Sequence, residues 1–292
     1  MLTMYDECPQ KYKFRYVDGI QRPYENIENF VGTLVHKALA KLYADLNESK
    51  LNTSQELLAF YEQQWRADYG PHVRIARRNM TAEAYLAAGK EMISTYYRTH
   101  EASFGAKRTL GLELEVSMPL RDDTDFIGVI DRLVGNDERA LEIHDYKTSR
   151  RLPSDRDLES DRQLAMYELA LRHQHPEVEA VTLVWHYLRF GREIRLRKTK
   201  RQLQAARRHA LGVIQRIEGS HRFPTKESRL CDWCEYFQIC PAKQSATGII
   251  SHRGSGWLWR KPKRDRSGSL AVVGHLFGRV IRRIFRWLLE PW

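Results

Sequence analysis

Residues 126–147, FIGVIDRLVGNDERALEIHDYK, decide the fold of this chain. Their first half is mostly apolar, residues 135–138 are turn formers, and the second half alternates apolar with polar positions, which predicts two strands joined by a turn. Successive side chains of a strand point to opposite faces, so Asp145 and Lys147 share one face. In a hairpin centred on that turn, Asp131 lies opposite or diagonal to this face, within about 5–8 Å.

Two carboxylates and one ammonium group are therefore expected to meet at one strand surface. Carboxylate oxygens suit a hard cation such as Mg²⁺ or Mn²⁺, and a lysine beside the ion can orient or deprotonate a water molecule. This combination favours metal-assisted hydrolysis of a phosphodiester. The alternative is an exposed strand end with mixed charges. Glu113, on a preceding predicted strand, is a further candidate carboxylate, with an ordinary surface residue as its alternative.

The remaining pattern predicts an α/β fold with a mixed sheet flanked by helices. Helices come first, then three strands, a helix, a pair of strands and a last helix. The helices predicted at 55–69 and 82–100 contain no candidate catalytic group and are interpreted as a lid or insertion. Helices are predicted at residues 5–16, 29–46, 55–69, 82–100, 157–173 and 199–218, and strands at 112–120, 181–190 and 193–197 besides the hairpin.

Two predicted helices carry further candidates. His36 follows Gly32 by one helical turn, and the glycine lets another backbone or a substrate come close. A single histidine on a helix is more often a packed or exposed residue than a ligand. Gln163 and Tyr167 are four residues apart, so they share one helix face.

The composition is that of an ordinary globular protein, with 42% hydrophobic and 29% charged residues in a chain of 292. This length fits one large domain or two small ones. No run of 18 apolar residues predicts a transmembrane helix, and the N-terminus lacks the apolar core of a secretory signal. A cytoplasmic location is therefore expected.

The positive charge is concentrated at the C-terminal end. The whole chain has a net charge of 48 − 37 = +11, of which residues 245–292 contribute ten basic and two acidic residues, or +8. Three segments are predicted: a body at 1–243, a flexible basic linker at 244–270 and a basic amphipathic helix at 271–292. Such a helix suits an anionic membrane surface, a nucleic acid or a partner groove. The alternative is that it caps the domain or is disordered.

Four cysteines, Cys8, Cys231, Cys234 and Cys240, form a possible metal-binding set. Three of them follow a C-x2-C-x5-C pattern, and the fourth lies near the other end of the chain. Zinc and iron–sulfur clusters both accept four thiolates. Structural zinc usually uses two C-x2-C pairs, so this pattern favours a [4Fe-4S] cluster over zinc, with unrelated reduced thiols as a third possibility.

Taken in order, these motifs resemble the RecB-like branch of the PD-(D/E)XK nuclease superfamily. Within that branch the similarity is to members with an iron–sulfur cluster, such as the AddB nuclease domain and the CRISPR-associated exonucleases. It covers about residues 4–241. The motifs are Cys8-Pro9, Gly32-x3-His36, Gly128-x2-Asp131-Arg132, Asp145-Tyr146-Lys147-Thr148, Gln163-x3-Tyr167 and the cysteine triple.

The resemblance implies a restriction-endonuclease-like core with a helical N-terminal insertion and an iron–sulfur clasp. It implies that Asp131, Asp145, the carbonyl of Tyr146 and His36 bind the metal. Lys147 would be the catalytic lysine. Gln163 and Tyr167 would position that lysine and the DNA strand, and the four cysteines would bind the cluster.

The function implied is a metal-dependent DNA nuclease, an exonuclease acting on single strands or DNA ends without sequence preference, in DNA repair or related processing. The alternative is a non-catalytic DNA-end-binding subunit of a helicase–nuclease or CRISPR adaptation complex. No Walker motif occurs in the 292 residues, so a helicase or another DNA-processing protein is expected as a separate partner.

Overall fold

The computed structural model describes residues 2–135 and 139–246. Its helices are α1 (Leu2–Glu7), α2 (Pro9–Tyr12), α3 (Ile27–Asn47), α4 (Ser54–Asp68), α5 (Ala82–His100), α6 (Asp155–Ser160), α7 (Gln163–Gln174), α8 (Lys200–Glu218) and α9 (Pro241–Ala246). Its strands are β1 (Glu25–Asn26), β2 (Val73–Arg74), β3 (Arg108–Arg121), β4 (Thr124–Gly135), β5 (Ala140–Lys147), β6 (Ala180–Tyr187) and β7 (Arg192–Leu196).

Five strands form one mixed sheet in the order β3-β4-β5-β6-β7. Neighbouring strands are antiparallel except β5 and β6, which are parallel. Parallel strands need a long crossover connection, and α6 and α7 provide it. The predicted α/β fold with a mixed sheet and flanking helices is confirmed, and it fits a restriction-endonuclease-like core.

Helices cover both faces of the sheet, so two hydrophobic cores form. One face packs against α7 and α8, with Ile130 and Ile143 among its fully buried residues. The other core is built mainly from α3, α4 and α5, and the sheet contributes Tyr146 to it. The helices predicted at 55–69 and 82–100 are α4 and α5, and they form this second core together with α3.

The hairpin of β4 and β5 has the predicted register. Arg132 pairs with His144, and Leu133 pairs with Ile143. The apolar residues of this hairpin are therefore directed into the two cores, while its polar side chains gather where the pairing ends. The sheet thus positions the candidate residues at the end of β5.

Three predicted boundaries are wrong. The helix predicted at 157–173 is two helices, since Asp161 leaves the helical conformation and its Oδ1 accepts a hydrogen bond from the Leu164 N–H at 3.1 Å. The helix predicted at 5–16 is interrupted at Cys8, which is extended. The strand predicted at 181–190 ends at Tyr187 and continues as a 3₁₀ turn.

The predicted C-terminal segments fall largely outside the described residues. Residues 244–246 belong to α9 rather than to a linker, and the rest of the predicted linker and the helix at 271–292 are not described. Within the described ranges, no helix combines the length and the apolar character that crossing a membrane requires.

Two helical glycines make a matched test of the second core. A Cβ on Gly89 of α5 would lie 2.4 Å from Cζ of the buried Tyr61 ring, whereas a Cβ on Gly212 of α8 would meet nothing within 4 Å. We expect Gly89→Ala to lower the free energy of unfolding by about 1–3 kcal/mol through overpacking. Gly212→Ala should leave it unchanged or raise it by up to about 1 kcal/mol. Urea denaturation measures both, and equal effects of the two variants would contradict the packing.

Candidate active site

The candidate site begins with a side chain of β4 that holds the backbone of β5. Oδ2 of Asp131 accepts a hydrogen bond from the backbone N–H of Tyr146 at 2.7 Å. This contact fixes one carboxylate beside the segment that carries the other candidates, Asp145 and Lys147. The prediction that the carboxylates and the lysine meet at one end of the hairpin agrees with this geometry.

Helix α3 brings His36 to the same place from the other face of the sheet. One ring nitrogen, Nε2, lies 2.8 Å from the carbonyl oxygen of Tyr146, and the other, Nδ1, lies 3.4 Å from Oδ1 of Asp131. Gly32, one turn earlier, allows the close approach, because a Cβ there would lie 3.3 Å from Oγ1 of Thr148. His36 thus contacts two of the other predicted metal ligands.

Helix α7 contributes the last two predicted residues. The Lys147 ammonium lies 2.7 Å from Oδ2 of Asp145 and donates to Oε1 of Gln163 at 3.0 Å. The Gln163 amide in turn donates to the hydroxyl of Tyr167 at 2.9 Å. This chain of contacts holds the flexible lysine on both sides. The predicted residues form two contact groups joined through the backbone of β5: Asp131 with His36 and the Tyr146 backbone, and Asp145 with Lys147, Gln163 and Tyr167.

Gly128 of β4 gives Tyr167 its position. A Cβ at Gly128 would lie 2.4 Å from Cε1 of the Tyr167 ring, so only glycine leaves room for that ring on the strand. Phe126 lies beside it, with ring centroids 6.2 Å apart. A glycine inside a strand is a sequence signal of such a close approach, although the sequence does not identify the approaching group.

Burial and neighbouring charges shift the pKa values of three groups of the site. Burial raises the pKa of the Asp145 carboxyl well above its ordinary range, and Lys147 only partly offsets this. Burial lowers the pKa of Lys147, but the charge and hydrogen bond of Asp145 together with the charges of Asp161 and Asp131 outweigh it, so the net change is upward. Burial also lowers the pKa of His36, whereas the hydrogen bond and charge of Asp131 raise it, to about 9 overall. A cation at the site would stabilise both carboxylates in their charged form.

A third carboxylate, Glu113 of β3, lies close to this group. It forms a group with His36 and Asp131, in which one ligand atom of each residue lies within 4.8 Å of the others. Burial, followed by the charge of Asp131, raises the pKa of Glu113. Its backbone φ of 44° is in the left-handed region, a strained conformation that occurs often at functional sites. The sequence suggested Glu113 as a candidate, but its strain and its contacts depend on the fold.

The donor set fits a divalent cation. It offers carboxylate oxygens, one backbone carbonyl and one imidazole, which suit Mg²⁺ or Mn²⁺. Oδ2 of Asp145 is buried and makes no hydrogen bond, although the Lys147 ammonium is near. A buried carboxylate oxygen without a hydrogen bond is costly, so a cation would remove a penalty that the protein alone leaves.

The four cysteines lie at a different place, between the first helices and the segment before α9. All four are reduced and partly buried, and all four line one cavity together with Phe14 and Phe237. The Ser228 N–H donates to Sγ of Cys231 at 3.4 Å. Among the described residues, no three of their sulfur atoms lie within 4.8 Å of one another.

Direct contacts also join the two ends of the described chain. The Asn26 amide donates to the Trp233 carbonyl at 3.3 Å, and the Tyr236 hydroxyl donates to the Ile20 carbonyl at 3.0 Å. An ion pair of 3.0 Å links Lys11 with Glu235. These contacts join the walls of the cavity lined by the cysteines.

Comparison with known proteins gives a family match for most of the chain. The sequence model described as PD-(D/E)XK nuclease superfamily matches residues 1–241. No curated protein matches the sequence. The crystal structure of SSO0001 is similar to 80% of this chain and 94% of that chain, at 17% identity and a TM-score of 0.36. We draw no conclusion from a structural likeness of that size.

The contact between Gly128 and Tyr167 can be tested by a double-variant cycle. Gly128→Ala should lower the free energy of unfolding by about 1–3 kcal/mol, because the new methyl group overlaps the Tyr167 ring. Tyr167→Leu in the same chain should restore part of this loss, since the shorter side chain vacates the space. Chemical denaturation of the two single variants and the double variant measures the coupling. Strictly additive effects would show that the two residues do not meet.

Proposed function

This chain belongs to the PD-(D/E)XK nuclease superfamily, and from that premise we propose that it is a DNA exonuclease of the RecB-like branch, acting on single strands or DNA ends. Membership of the superfamily itself makes the chain a metal-dependent nuclease. The finer proposal rests on the residues of the site and on the order of its motifs. A role in DNA repair or related DNA processing is part of the proposal.

One observation carries the catalytic assignment. Asp131 and His36 contact each other and the backbone of Tyr146, and the residues on either side of Tyr146, Asp145 and Lys147, form an ion pair of 2.7 Å. These four residues come from three separate elements. A charged strand end without a function has no need of a buried carboxylate, a helical histidine and a tethered lysine together. Perturbed titratable groups that gather in this way are typical of catalytic sites.

Asp131, Asp145, the Tyr146 carbonyl and His36 would hold Mg²⁺ or Mn²⁺, with Glu113 as an additional carboxylate. The bound ion supplies charge neutralisation of the scissile phosphate and a lowered pKa of the attacking water. His36, whose pKa is about 9 in the metal-free protein, gives up its proton when it serves as a ligand.

Lys147 acts as a positioned ammonium group in this proposal. Its contacts with Asp145 and Gln163 keep Nζ at the edge of the site, where a positive charge attracts the phosphate and orients a water molecule. Gln163 limits the rotamers of Lys147 and is itself held by Tyr167. Preorganised charge of this kind is usually the largest contribution to catalysis.

A cavity beside the site supports a nucleic-acid strand as the substrate. It has a volume of about 750 Å³ and runs from Gln163 and Tyr167 past Phe126 to His209 and Lys226. Aromatic rings stack on bases of any identity, and cationic side chains bind phosphates without reading sequence. The lining also includes Asp6, Glu7 and Asp125, so the support for a DNA strand comes from the aromatic rings of Phe126 and Tyr167 and not from net positive charge.

We propose that the four cysteines bind a [4Fe-4S] cluster. Support comes from their common cavity and from the N–H group of Ser228 directed at Cys231, because hydrogen bonds to cysteine sulfur are usual in cluster sites. No three of the sulfurs in the described residues lie within 4.8 Å of one another, so the preference for a cluster over a single ion rests on the spacing of the cysteines in the sequence.

The proposed function includes partner proteins. A helicase or another DNA-processing protein would supply DNA ends in the cytoplasm, and the basic C-terminal segment would contact a membrane or a protein. A non-catalytic DNA-end-binding subunit is the competing function. The intact carboxylate and lysine contacts favour catalysis over that alternative.

Catalysis is tested by three substitutions at the site. Asp131→Asn, Asp145→Asn and Lys147→Ala should each lower Mg²⁺- or Mn²⁺-dependent degradation of end-labelled single-stranded DNA by at least about 100-fold. Asp145→Asn should leave the melting temperature unchanged or raise it, because burial disfavours the charged form of Asp145 in the folded protein and raises its pKa. The melting curve therefore separates lost chemistry from lost folding.

The control for these variants is Glu48→Gln at the exposed end of α3, about 18 Å along the helix from His36. This variant should degrade DNA at the wild-type rate. If the site variants retain that rate, the active-site assignment is wrong. Tight DNA binding by the wild type without turnover under either metal would instead support the end-binding alternative.

The cluster is tested by anaerobic purification and metal analysis. The wild type is expected to be brown with broad visible absorbance and to contain iron and acid-labile sulfide in equal amounts. Cys234→Ser should lose this absorbance and lower the melting temperature, since metal binding and folding are coupled. Ser160→Ala, at an exposed serine of α6 that does not line the cavity of the cysteines, keeps all four thiols and serves as the control. Stoichiometric zinc without iron would overturn the proposal.

A further inference from the structure

A second group of metal-binding side chains lies away from the candidate active site. His100 ends α5, His186 is on β6 and Glu193 is on β7, and one ligand atom of each lies within 4.8 Å of the others. Cross-strand pairing explains part of this arrangement, because His186 is the register partner of Glu193. None of the three belongs to the candidate nuclease site.

Only one of the two carboxylate oxygens of Glu193 accepts a hydrogen bond from Arg195. Its Oε1 accepts from the Arg195 guanidinium at 2.8 Å. Its Oε2 lies 3.6 Å from Nδ1 of His186 and 4.0 Å from Nδ1 of His100. One carboxylate oxygen and two imidazole nitrogens thus face one another at distances too long for hydrogen bonds.

The proton positions on His186 follow from its neighbours. Nε2 of His144 lies 3.1 Å from the Glu142 carboxylate, which can only accept, so this nitrogen carries a proton. Nδ1 of neutral His144 is then an acceptor, and the Arg132 guanidinium, which can only donate, contacts it at 3.3 Å. His186 therefore donates its Nε2–H to that nitrogen at 2.7 Å.

This relay leaves a lone pair on Nδ1 of His186, directed toward the Glu193 carboxylate. His186 is buried, with 3% of its side chain exposed, and Nδ1 has no hydrogen-bond partner among the described residues. A lone pair and a carboxylate oxygen that face each other in a buried pocket repel. The arrangement is stable when a cation lies between them.

We propose that His100, His186 and Glu193 bind a divalent transition-metal ion, for which Zn²⁺ is the chemical match. Two imidazoles and one carboxylate are a ligand set that zinc accepts, with a fourth position for water. His100 and Glu193 are 17% and 26% exposed, so the pocket opens to solvent on their side and an ion can enter.

Two further features support this site. Burial lowers the pKa of His100 and of His186, so both imidazoles are neutral at neutral pH, the form that binds metals. The relay from His186 through His144 to Glu142 is the kind of outer hydrogen bonding that orients a metal-bound histidine. A bound ion would join the end of α5 to the edge of the sheet.

The test uses the full-length protein, treated with EDTA, desalted and then loaded with Zn²⁺ alone. Bound zinc is counted by mass spectrometry, and thermal melting is recorded with and without zinc. His100→Gln and Glu193→Gln should each bind one zinc ion fewer per chain than the wild type and lose the corresponding zinc-dependent rise in melting temperature. Both changed residues are partly exposed, and circular dichroism of the metal-free variants checks their folding.

Matched controls come from His175→Gln and Glu177→Gln, a pair with the same two side chains 3.1 Å apart on the surface. These variants should bind as much zinc as the wild type. A Lys147→Ala protein should also keep the zinc ion, which separates this site from the nuclease proposal. Unchanged zinc content in both His100→Gln and Glu193→Gln would overturn the inference. A Co²⁺ spectrum lost in both variants gives a second measure, independent of stability.

Discussion

The hydrogen bond from the Tyr146 backbone N–H to the Asp131 carboxylate is the contact on which the site depends. It forms where the pairing of β4 and β5 ends, so a side chain takes the place of the next ladder bond. The Tyr146 carbonyl then lies at His36, and the residues on either side, Asp145 and Lys147, reach toward α7. A single strand register thus sets the positions of the carboxylates, the carbonyl and the lysine.

The same geometry makes the site unfavourable for the protein alone. Asp145 is buried beside another carboxylate, and the Lys147 ammonium that pairs with it also contacts Gln163. Burial of a charge costs several kcal/mol unless it is well paired, and the two packed cores supply the stability that tolerates this cost. A divalent cation would reduce this penalty. Relief of the penalty would therefore strengthen the binding of the metal.

Tyr146 connects the candidate active site with the buried histidines. Its backbone contacts Asp131 and His36, while its ring lies in the second core, 5.3 Å from the ring of His186. The geometry of a strand explains why the backbone and the ring of Tyr146 have different surroundings. The side chain of a strand residue points to one face of the sheet, whereas its N–H and carbonyl lie in the plane of the sheet. The helical layer of α3 to α5 therefore packs on the strand that carries the catalytic candidates.

Period-two alternation in residues 126–147 was enough to predict the hairpin and the common face of Asp145 and Lys147, because that periodicity is a local property. The order of the motifs also predicted that His36, Gln163 and Tyr167 belong to one site. Only the tertiary structure decided their contacts, since His36 and Tyr146 are 110 residues apart and meet through the packing of α3 on the sheet. The break at Asp161, the strain at Glu113 and the grouping of His100, His186 and Glu193 are likewise decided by tertiary packing, because they depend on which groups compete for each backbone and side-chain atom once the chain is folded.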